Sequence, residues 1–313
     1  MKTISKGNIF LILAAIVWGM GLVSQQAGMD YLGPLSFTAV RCTLGGISMI
    51  PLVMFLDKSK KKELEVEPTK AEATPDTERP INKGILLASF FCALALLSLI
   101  LLQQYGLLHT SVGKAGFITA LYILITPLMG KFLLKKPVAK NTWIGVAIAL
   151  VGMYFLCLTD GIDGINIGDA IMLLAAIAAS THMHVVDHFV AKYDPVKLSC
   201  FQFTMVGLMC FIPAFIFEGD VFTWEYIKLS AIPILYAGLC SCAVGYTFQI
   251  IGQKYTEPNT ASLLLSMETV FALIAGWVIL GEVLAGREYL GCAIMFVAII
   301  VAQLPEKQKK LDK

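Results

Sequence analysis

The chain has 313 residues, of which 57% are hydrophobic and 15% are charged, with a formal net charge of +2 and a mean hydropathy of +0.76. Soluble domains contain about 45–50% apolar and about 25% charged residues, so the composition excludes a soluble globular protein. It predicts an integral membrane protein that resides in a lipid bilayer and binds no nucleic acid.

Ten apolar segments, taken in chain order, are each long enough to cross a hydrocarbon core about 30 Å thick. They are residues 8–29, 34–56, 84–104, 115–134, 141–158, 167–190, 196–217, 229–251, 258–280 and 288–304. In lipid each segment must satisfy its own backbone hydrogen bonds, and none alternates as a barrel strand would. The predicted fold is therefore all-α, with ten transmembrane helices.

The polar stretch 57–83 separates the second and third segments. It mixes Lys, Glu, Thr and Pro without apolar periodicity, which predicts a flexible cytoplasmic loop. Its Lys-rich start also allows a regulatory or anionic-lipid-binding role. The eight cysteines all lie inside apolar segments, where small buried hydrophobes are expected rather than disulfides or metal ligands. We expect no cofactor and no metal.

Two halves of the chain are related by an internal repeat. Residues 106–155 align without a gap to residues 252–301 at an offset of 146, with ten identical pairs that include Gly106/Gly252 and Thr110/Thr256. Near the start of each half the offset is 161, as in Gly46/Gly207. The sequence therefore predicts two five-helix repeats, residues 1–158 (with the loop 57–83) and 159–313. Because five is odd, the second repeat enters from the opposite side, which gives an inverted pair suited to alternating access.

Orientation follows from the basic residues. With the N-terminus inside, 20 of the 24 Lys and Arg residues fall on the inner side. By the positive-inside rule both termini are cytoplasmic and the expected location is the plasma membrane.

Three stretches carry a resemblance to a known family. They are QKYTEPNTASLLLSMETVFALIAGWVILGE at 253–282, the Trp18–Gly19 pair with Arg41, and FITALYILITPL at 117–128. The chain resembles EamA-type transporters of the drug/metabolite transporter superfamily, although Thr269 stands where a proline usually follows the glutamate. The resemblance implies a ten-helix transporter with a central substrate cavity, often an exporter of a metabolite or amino acid, and it leaves the cargo open.

Two charged residues inside the predicted spans are the leading site candidates. Glu268 lies near the middle of span nine, where a charge costs at least about 2.5 kcal/mol. It could exchange a proton or pair with a base, and a purely structural ion pair or hydrogen bond is the alternative. Arg41, about two turns into span two, could hold an anionic group of the cargo, pair with Glu268, or extend to the interface.

Span six contains three histidines. His184 and His188 share a helix face, whereas His182 is expected to point elsewhere. A polar cavity lining or proton relay and a polar helix end both remain open, and a metal site is the least favoured alternative. Neutral polar or aromatic side chains complete the candidates, either as cargo contacts or as interhelical hydrogen bonds: Trp18, Gln25, Gln103, Tyr122, Tyr236 and Gln249.

The predicted function is a secondary transporter for a small polar metabolite such as an amino acid, acting outward by alternating access. Proton or ion coupling and a homodimer are left open. Neither GxxxxGK[ST] nor GxSxG occurs, so we expect no enzyme activity. Two alternatives remain: a membrane enzyme that uses Glu268 and the span-six histidines on a lipid-linked substrate, and a non-transporting sensor or scaffold.

We also expect spans four and nine to pack through small residues, Gly116 and Ala120 against Ser262 and Ser266.

Overall fold

A computed structural model describes residues 6–66, 83–110, 112–157, 166–271, 274 and 286–304. These ranges contain helices and no β-strand, in agreement with the predicted fold class. The helices are α1 (Lys6–Trp18), α2 (Gly21–Met29), α3 (Pro34–Val66), α4 (Lys83–Leu107), α5 (Val112–Ala120), α6 (Tyr122–Phe132), α7 (Lys140–Cys157), α8 (Ile167–Val190), α9 (Pro195–Phe217), α10 (Trp224–Leu229), α11 (Ala231–Leu235), a π-helix (Tyr236–Gly245), α12 (Tyr246–Gln253), α13 (Pro258–Leu265) and α14 (Gly286–Gln303).

Six helical stretches of the described chain are long and apolar enough to cross a membrane. They correspond to predicted spans one, two, three, six, seven and eight: Lys6–Met29, Pro34–Lys58, Lys83–Leu107, Ile167–Val190, Pro195–Phe217 and Ala231–Gln253. The protein is a multi-pass membrane protein. Predicted spans four and ten contain shorter apolar helices, Ile118–Phe132 and Tyr289–Ala302. Span five corresponds to α7, and span nine starts as α13 and runs into residues outside the described ranges.

The loop predicted for residues 57–83 is helical in its first part. α3 continues through the Lys- and Glu-rich sequence as far as Val66. Lys, Glu and Leu are good helix formers, and this intrinsic preference outweighs the lack of apolar periodicity. The prediction of a loop is therefore wrong for residues 57–66, and residues 67–82 lie outside the described part.

Three long helix pairs organise the packing: α3 with α9, α4 with α8, and α7 with α14. The largest buried cluster draws side chains from several of these helices, including Leu11, Leu96, Ile123 and Phe203. Large apolar side chains such as Phe55, Ile212 and Phe215 are more than half exposed on the outside. An apolar outer surface around a packed interior is the arrangement that lipid requires.

The expected small-residue contact between spans four and nine is wrong at Gly116. Among the described residues, a Cβ built on Gly116 would meet only Leu22 of α2 within 4 Å. The helix is rotated so that this glycine faces span one, and α13 packs instead against α6, the second half of span four.

Candidate functional site

A cavity of about 70 Å³ lies where several helices meet in the interior, and we call it the central cavity. Seven of the ten predicted site residues line it: Trp18, Gln25, Arg41, Gln103, Tyr122, Gln249 and Glu268. Further polar or aromatic lining residues are Thr119, His182, Ser241 and Tyr246. Since a water molecule needs only about 10–15 Å³ of such space, the cavity can hold several waters or part of a polar solute.

Helix interruptions surround the central cavity. Predicted span one is divided at Gly19 and Met20, between α1 and α2. Predicted span four is divided at Leu121, whose amide donates to the carbonyl of Ile118, three residues back. In the first turns of predicted span nine, the amide of Met267 likewise donates to Leu264. Such tight turns free backbone carbonyls from the α-helical pattern, which a membrane helix tolerates where it borders a polar cavity.

The two later interruptions place Tyr122 and Glu268 at the cavity. Tyr122 directly follows the break at Leu121, and the helix resumes at Glu268 after a turn at Ser266 and Met267. Tyr122 is buried, and its hydroxyl has no hydrogen-bond partner among the described residues. Both side chains are therefore free to bind a solute in the cavity.

Arg41 presents a buried positive charge from α3. Its side chain is 3% exposed, its Nη2 donates to Gln25 Oε1 at 3.2 Å, and its guanidinium lies over the Phe37 ring at 5.3 Å. Its Nε has no acceptor in the described part of the chain. The cation is thus held in place by a neutral amide and a ring, with donor capacity left over.

Glu268 presents the opposite charge to the same cavity. Its side chain is half-buried, and neither a hydrogen bond nor an ion pair joins it to any other described residue. The alternative in which Arg41 and Glu268 neutralise each other is therefore not the arrangement found. A charge in a membrane interior needs a partner, and since no described residue serves as one, a proton, a solute or water can take that place.

Neutral groups fill the remaining cavity wall. Gln249 donates to Gln253 Oε1 at 3.2 Å and keeps its own buried Oε1 unbonded within the described ranges. The Trp18 and Tyr246 rings pack at a centroid distance of 4.5 Å, and Trp18 Nε1 is buried without an acceptor there. These groups offer donors and acceptors beside aromatic faces, which suits a small polar organic solute.

Three predicted site residues lie away from the central cavity. The Tyr236 hydroxyl donates to the carbonyl of Val17 at the end of α1, so it supports the break in span one. His188 is exposed. His184 lines a second cavity, and His182, which was expected to point elsewhere, lines the central one and bonds to Gln202 Oε1 at 3.2 Å.

Which histidine faces the central cavity depends on the rotation of α8 about its axis, and three histidines within seven residues do not define that rotation. Tyr246 carried a clearer signal, because it stands three residues before Gln249 and so shares its helix face. Within the described ranges no group of three or more His, Cys, Asp or Glu side chains is arranged to hold a metal ion.

The second cavity has a volume of about 240 Å³. It is lined by Gly130, Lys136, Pro137, His184, Asp187, Glu257, Pro258 and Asn259. These residues come from the ends of α6 and α8 and the start of α13, on the side that the basic residues assign to the cytoplasm.

Comparison with known proteins gives consistent results. The profile of the EamA-like transporter family matches residues 5–158 and 166–303. An uncharacterized transporter of Archaeoglobus fulgidus is 25% identical over 95% of this chain and 85% of its own. The uncharacterized transporter YwfM of Bacillus subtilis is 25% identical over 98% of both chains. A WAT1-related chloroplastic protein of Arabidopsis thaliana is 23% identical over 95% of this chain and 69% of its own. A solved crystal structure, 15% identical, superposes with a TM-score of 0.73 over 95% of this chain and 96% of that chain.

Proposed function

This chain belongs to the EamA-like transporter family, and on that premise we propose that it is a secondary transporter that exports a small zwitterionic metabolite, such as an amino acid, by alternating access. The observation that carries the proposal is that Arg41 and Glu268 line one cavity without pairing with each other. A solute with a carboxylate and an ammonium group would complement both charges. Neutral polar groups around the two charges would add hydrogen bonds to the solute and still allow it to dissociate.

The proposal includes two inverted five-helix repeats, and contacts between matching residues support it. Thr256 donates to Asn8 Oδ1 at 3.2 Å, and Thr110 donates to Asp169 Oδ1 at 2.7 Å. Asp169 lies 161 residues after Asn8, and Thr256 lies 146 residues after Thr110. The contact between α1 and the end of α12 is thus repeated between α8 and the end of α4.

A second pair of contacts lies between α3 and α9. A Cβ built on Gly46 would stand 2.5 Å from the backbone N of Thr204, and one built on Gly207 would stand 2.6 Å from the backbone N of Thr43. Thr43 and Gly46 match Thr204 and Gly207 at the offset of 161. Reciprocal contacts of this kind are expected when a two-fold axis relates two elements.

The pair α7 and α14 follows the same rule. A Cβ built on Gly145 would stand 2.9 Å from the carbonyl O of Ala298, and one built on Gly152 would stand 3.1 Å from that of Gly291. At the offset of 146, Gly145 matches Gly291 and Gly152 matches Ala298. Helix pairs related in this way can exchange conformations around one central site, which is the basis of alternating access in inverted repeats.

In the plasma membrane, the proposed orientation with both termini in the cytoplasm rests on the distribution of basic residues. The outward direction is an expectation from the family resemblance. Glu268 is our candidate for proton or ion coupling, because it is a carboxylate in the cavity without a basic partner among the described residues. The proposal allows a homodimer and does not require one.

The two alternatives are less well supported. An enzyme would need Glu268 and His184 or His188 in reach of one substrate atom. Glu268 lines the central cavity, His184 lines the other, and His188 is exposed. A scaffold has no use for a polar cavity containing two opposite charges.

The test is a metabolite profile of cells and medium for the wild type and for Glu268→Gln, with Glu225→Gln as the matched control. Glu225 is an exposed carboxylate on α10. We expect at least one amino-acid-like solute to move from cells to medium with the wild type and Glu225→Gln but not with Glu268→Gln. Equal profiles for all three correctly inserted proteins would contradict the proposal.

A further inference from the structure

The second cavity and the central cavity lie along the same helices. On α6, Tyr122, Thr126 and Gly130 follow one another at intervals of one helical turn, and they lie on one face. Tyr122 lines the central cavity and Gly130 the second one. Between them, Thr126 Oγ1 hydrogen-bonds to Ser180 Oγ of α8 at 3.1 Å. The two cavities are thus about two helical turns apart, and hydrogen bonds of Thr126 and Ser180 lie between them.

His184 offers an acceptor to the second cavity. Its Nε2 lies 3.0 Å from the carbonyl O of Thr126. A carbonyl can only accept, so Nε2 carries the hydrogen and Nδ1 of the neutral ring is left as an acceptor. Nδ1 is buried and has no hydrogen-bond partner in the described chain.

Asn259 offers a second acceptor. Its Oδ1 is also buried and unbonded to any described residue. The His184 ring and Asn259 Oδ1 approach each other above Gly130, because a Cβ built there would stand 3.6 Å from His184 Cε1 and 3.7 Å from Asn259 Oδ1. A buried acceptor without a donor destabilises the folded protein. Because both residues line the same open space, a donor bound in that space could serve both acceptors.

The charges of the cavity favour a cation. Asp187 and Glu257 contribute two carboxylates, and Lys136 contributes one ammonium group, which is 2.8 Å from Asp187 Oδ2. One negative charge therefore remains in excess. The start of α13 carries a partial positive charge of about half a unit, which reduces this excess and does not remove it.

We infer that the second cavity is a binding site for the primary ammonium group of a small amine. The three N–H donors of the ammonium group match three acceptors: His184 Nδ1, Asn259 Oδ1 and a carboxylate of Asp187 or Glu257. That the transported solute binds here, on the cytoplasmic side, before it enters the central cavity rests on the proposed function. The binding site itself does not, because it is defined by the lining of this cavity alone.

The inference is tested by binding of methylammonium to the purified full-length protein, measured by saturation-transfer NMR. The measurement uses the Glu268→Gln background, which removes the carboxylate of the central cavity. Tetramethylammonium, which has the same charge and no N–H donor, and acetate are the comparison probes. We expect saturable methylammonium binding at least about tenfold tighter than tetramethylammonium binding, and no acetate binding. Equal binding of the two cations, or no saturable methylammonium binding, would overturn the site and leave water as the occupant.

Substitutions at Asn259 locate the binding. Asn259→Leu removes the acceptor and should weaken methylammonium binding about tenfold or more, whereas Asn259→Asp keeps an oxygen at the same position and should retain binding. Circular dichroism checks that both variants are folded. Binding that is unaffected by Asn259→Leu would overturn the site.

The outcome separates the two proposals. If methylammonium binds and depends on Asn259 while the metabolite profiles of the wild type and Glu268→Gln are equal, the second site stands and the proposed transport function falls. If the profiles differ and Asn259 has no effect on methylammonium binding, the transport proposal stands and the second site falls.

Discussion

Asp57 of α3 binds the first turn of α9, and Glu218, 161 residues later and just beyond the end of α9, binds the first turn of α3. Asp57 pairs with Lys197 at the start of α9. Glu218, just beyond the end of α9, accepts hydrogen bonds from the amides of Leu35 and Ser36 at the start of α3, at 3.0 and 2.7 Å. At each end of the contact between antiparallel α3 and α9, a carboxylate therefore binds the N-terminal turn of the neighbouring helix.

The two ends differ in one respect. α9 has its own N-cap, since the side chain of Asp194 accepts from the amides of Val196 and Lys197 at 3.0 and 3.2 Å. The matching residue before α3 is Gly33, which has no side chain. Glu218 supplies from another helix the acceptor that Gly33 lacks, and a Cβ on Gly33 would collide with the Glu218 carboxylate.

We predict that Glu218→Ala lowers stability by about 2 kcal/mol, because two amides lose a charged acceptor. Adding Gly33→Asp should restore much of the loss, since an aspartate there would cap α3 as Asp194 caps α9. Thermal unfolding of the purified protein in detergent measures both. Asp220→Ala, at an exposed acid two residues away, is the control and should have little effect. A stable Glu218→Ala would argue against the cap.

Gly46→Val and Gly207→Val are predicted to destabilise the protein by similar amounts, more than about 2 kcal/mol each. Each side chain would enter the backbone of the facing helix, so the α3 and α9 pair would have to separate. Ile47→Val and Leu208→Val, at the exposed next positions, serve as controls. The measurement is again thermal unfolding. Tolerance of one glycine substitution and not the other would contradict the proposed two-fold relation.

Arg41→Gln is predicted to reduce export of the solute found in the metabolite profile by at least about tenfold, because the carboxylate of the solute would lose its charged partner. Lys192→Gln, which removes an exposed charge, should leave export unchanged. The measurement is the initial rate of appearance of that solute in the medium, at matched amounts of inserted protein. Unchanged export by Arg41→Gln would remove Arg41 from the site.

Tyr236→Phe is predicted to lower stability by about 1 kcal/mol, because the carbonyl of Val17 at the break in span one loses its donor. Tyr289→Phe, at an exposed tyrosine of α14, is the matched control. Thermal unfolding compares the two. Equal midpoints would show that another donor takes the place of the Tyr236 hydroxyl.

Hydropathy and the internal repeat were readable from the sequence by itself. They gave the membrane class, the helical fold and the positions of the main spans, because each depends on consecutive residues and on the thickness of a bilayer. The offsets of 146 and 161 also identified which residues match between the halves. The value of Glu268 as a candidate followed from the same reasoning, since a charge in an apolar helix needs an explanation.

Only the tertiary structure decided which polar side chains meet. His182 and His184 lie on nearly opposite faces of α8, so the one that faces the central cavity is decided by the rotation of the helix about its axis. Glu218 caps α3 through residues about 180 positions away in the sequence. Arg41 and Glu268, which share a cavity without pairing, are more than 220 positions apart. Hydropathy is a sum over residues that are neighbours in the sequence, so it predicts the membrane spans. The candidate site depends on distances between residues that are far apart in the sequence, and only the folded structure contains those distances.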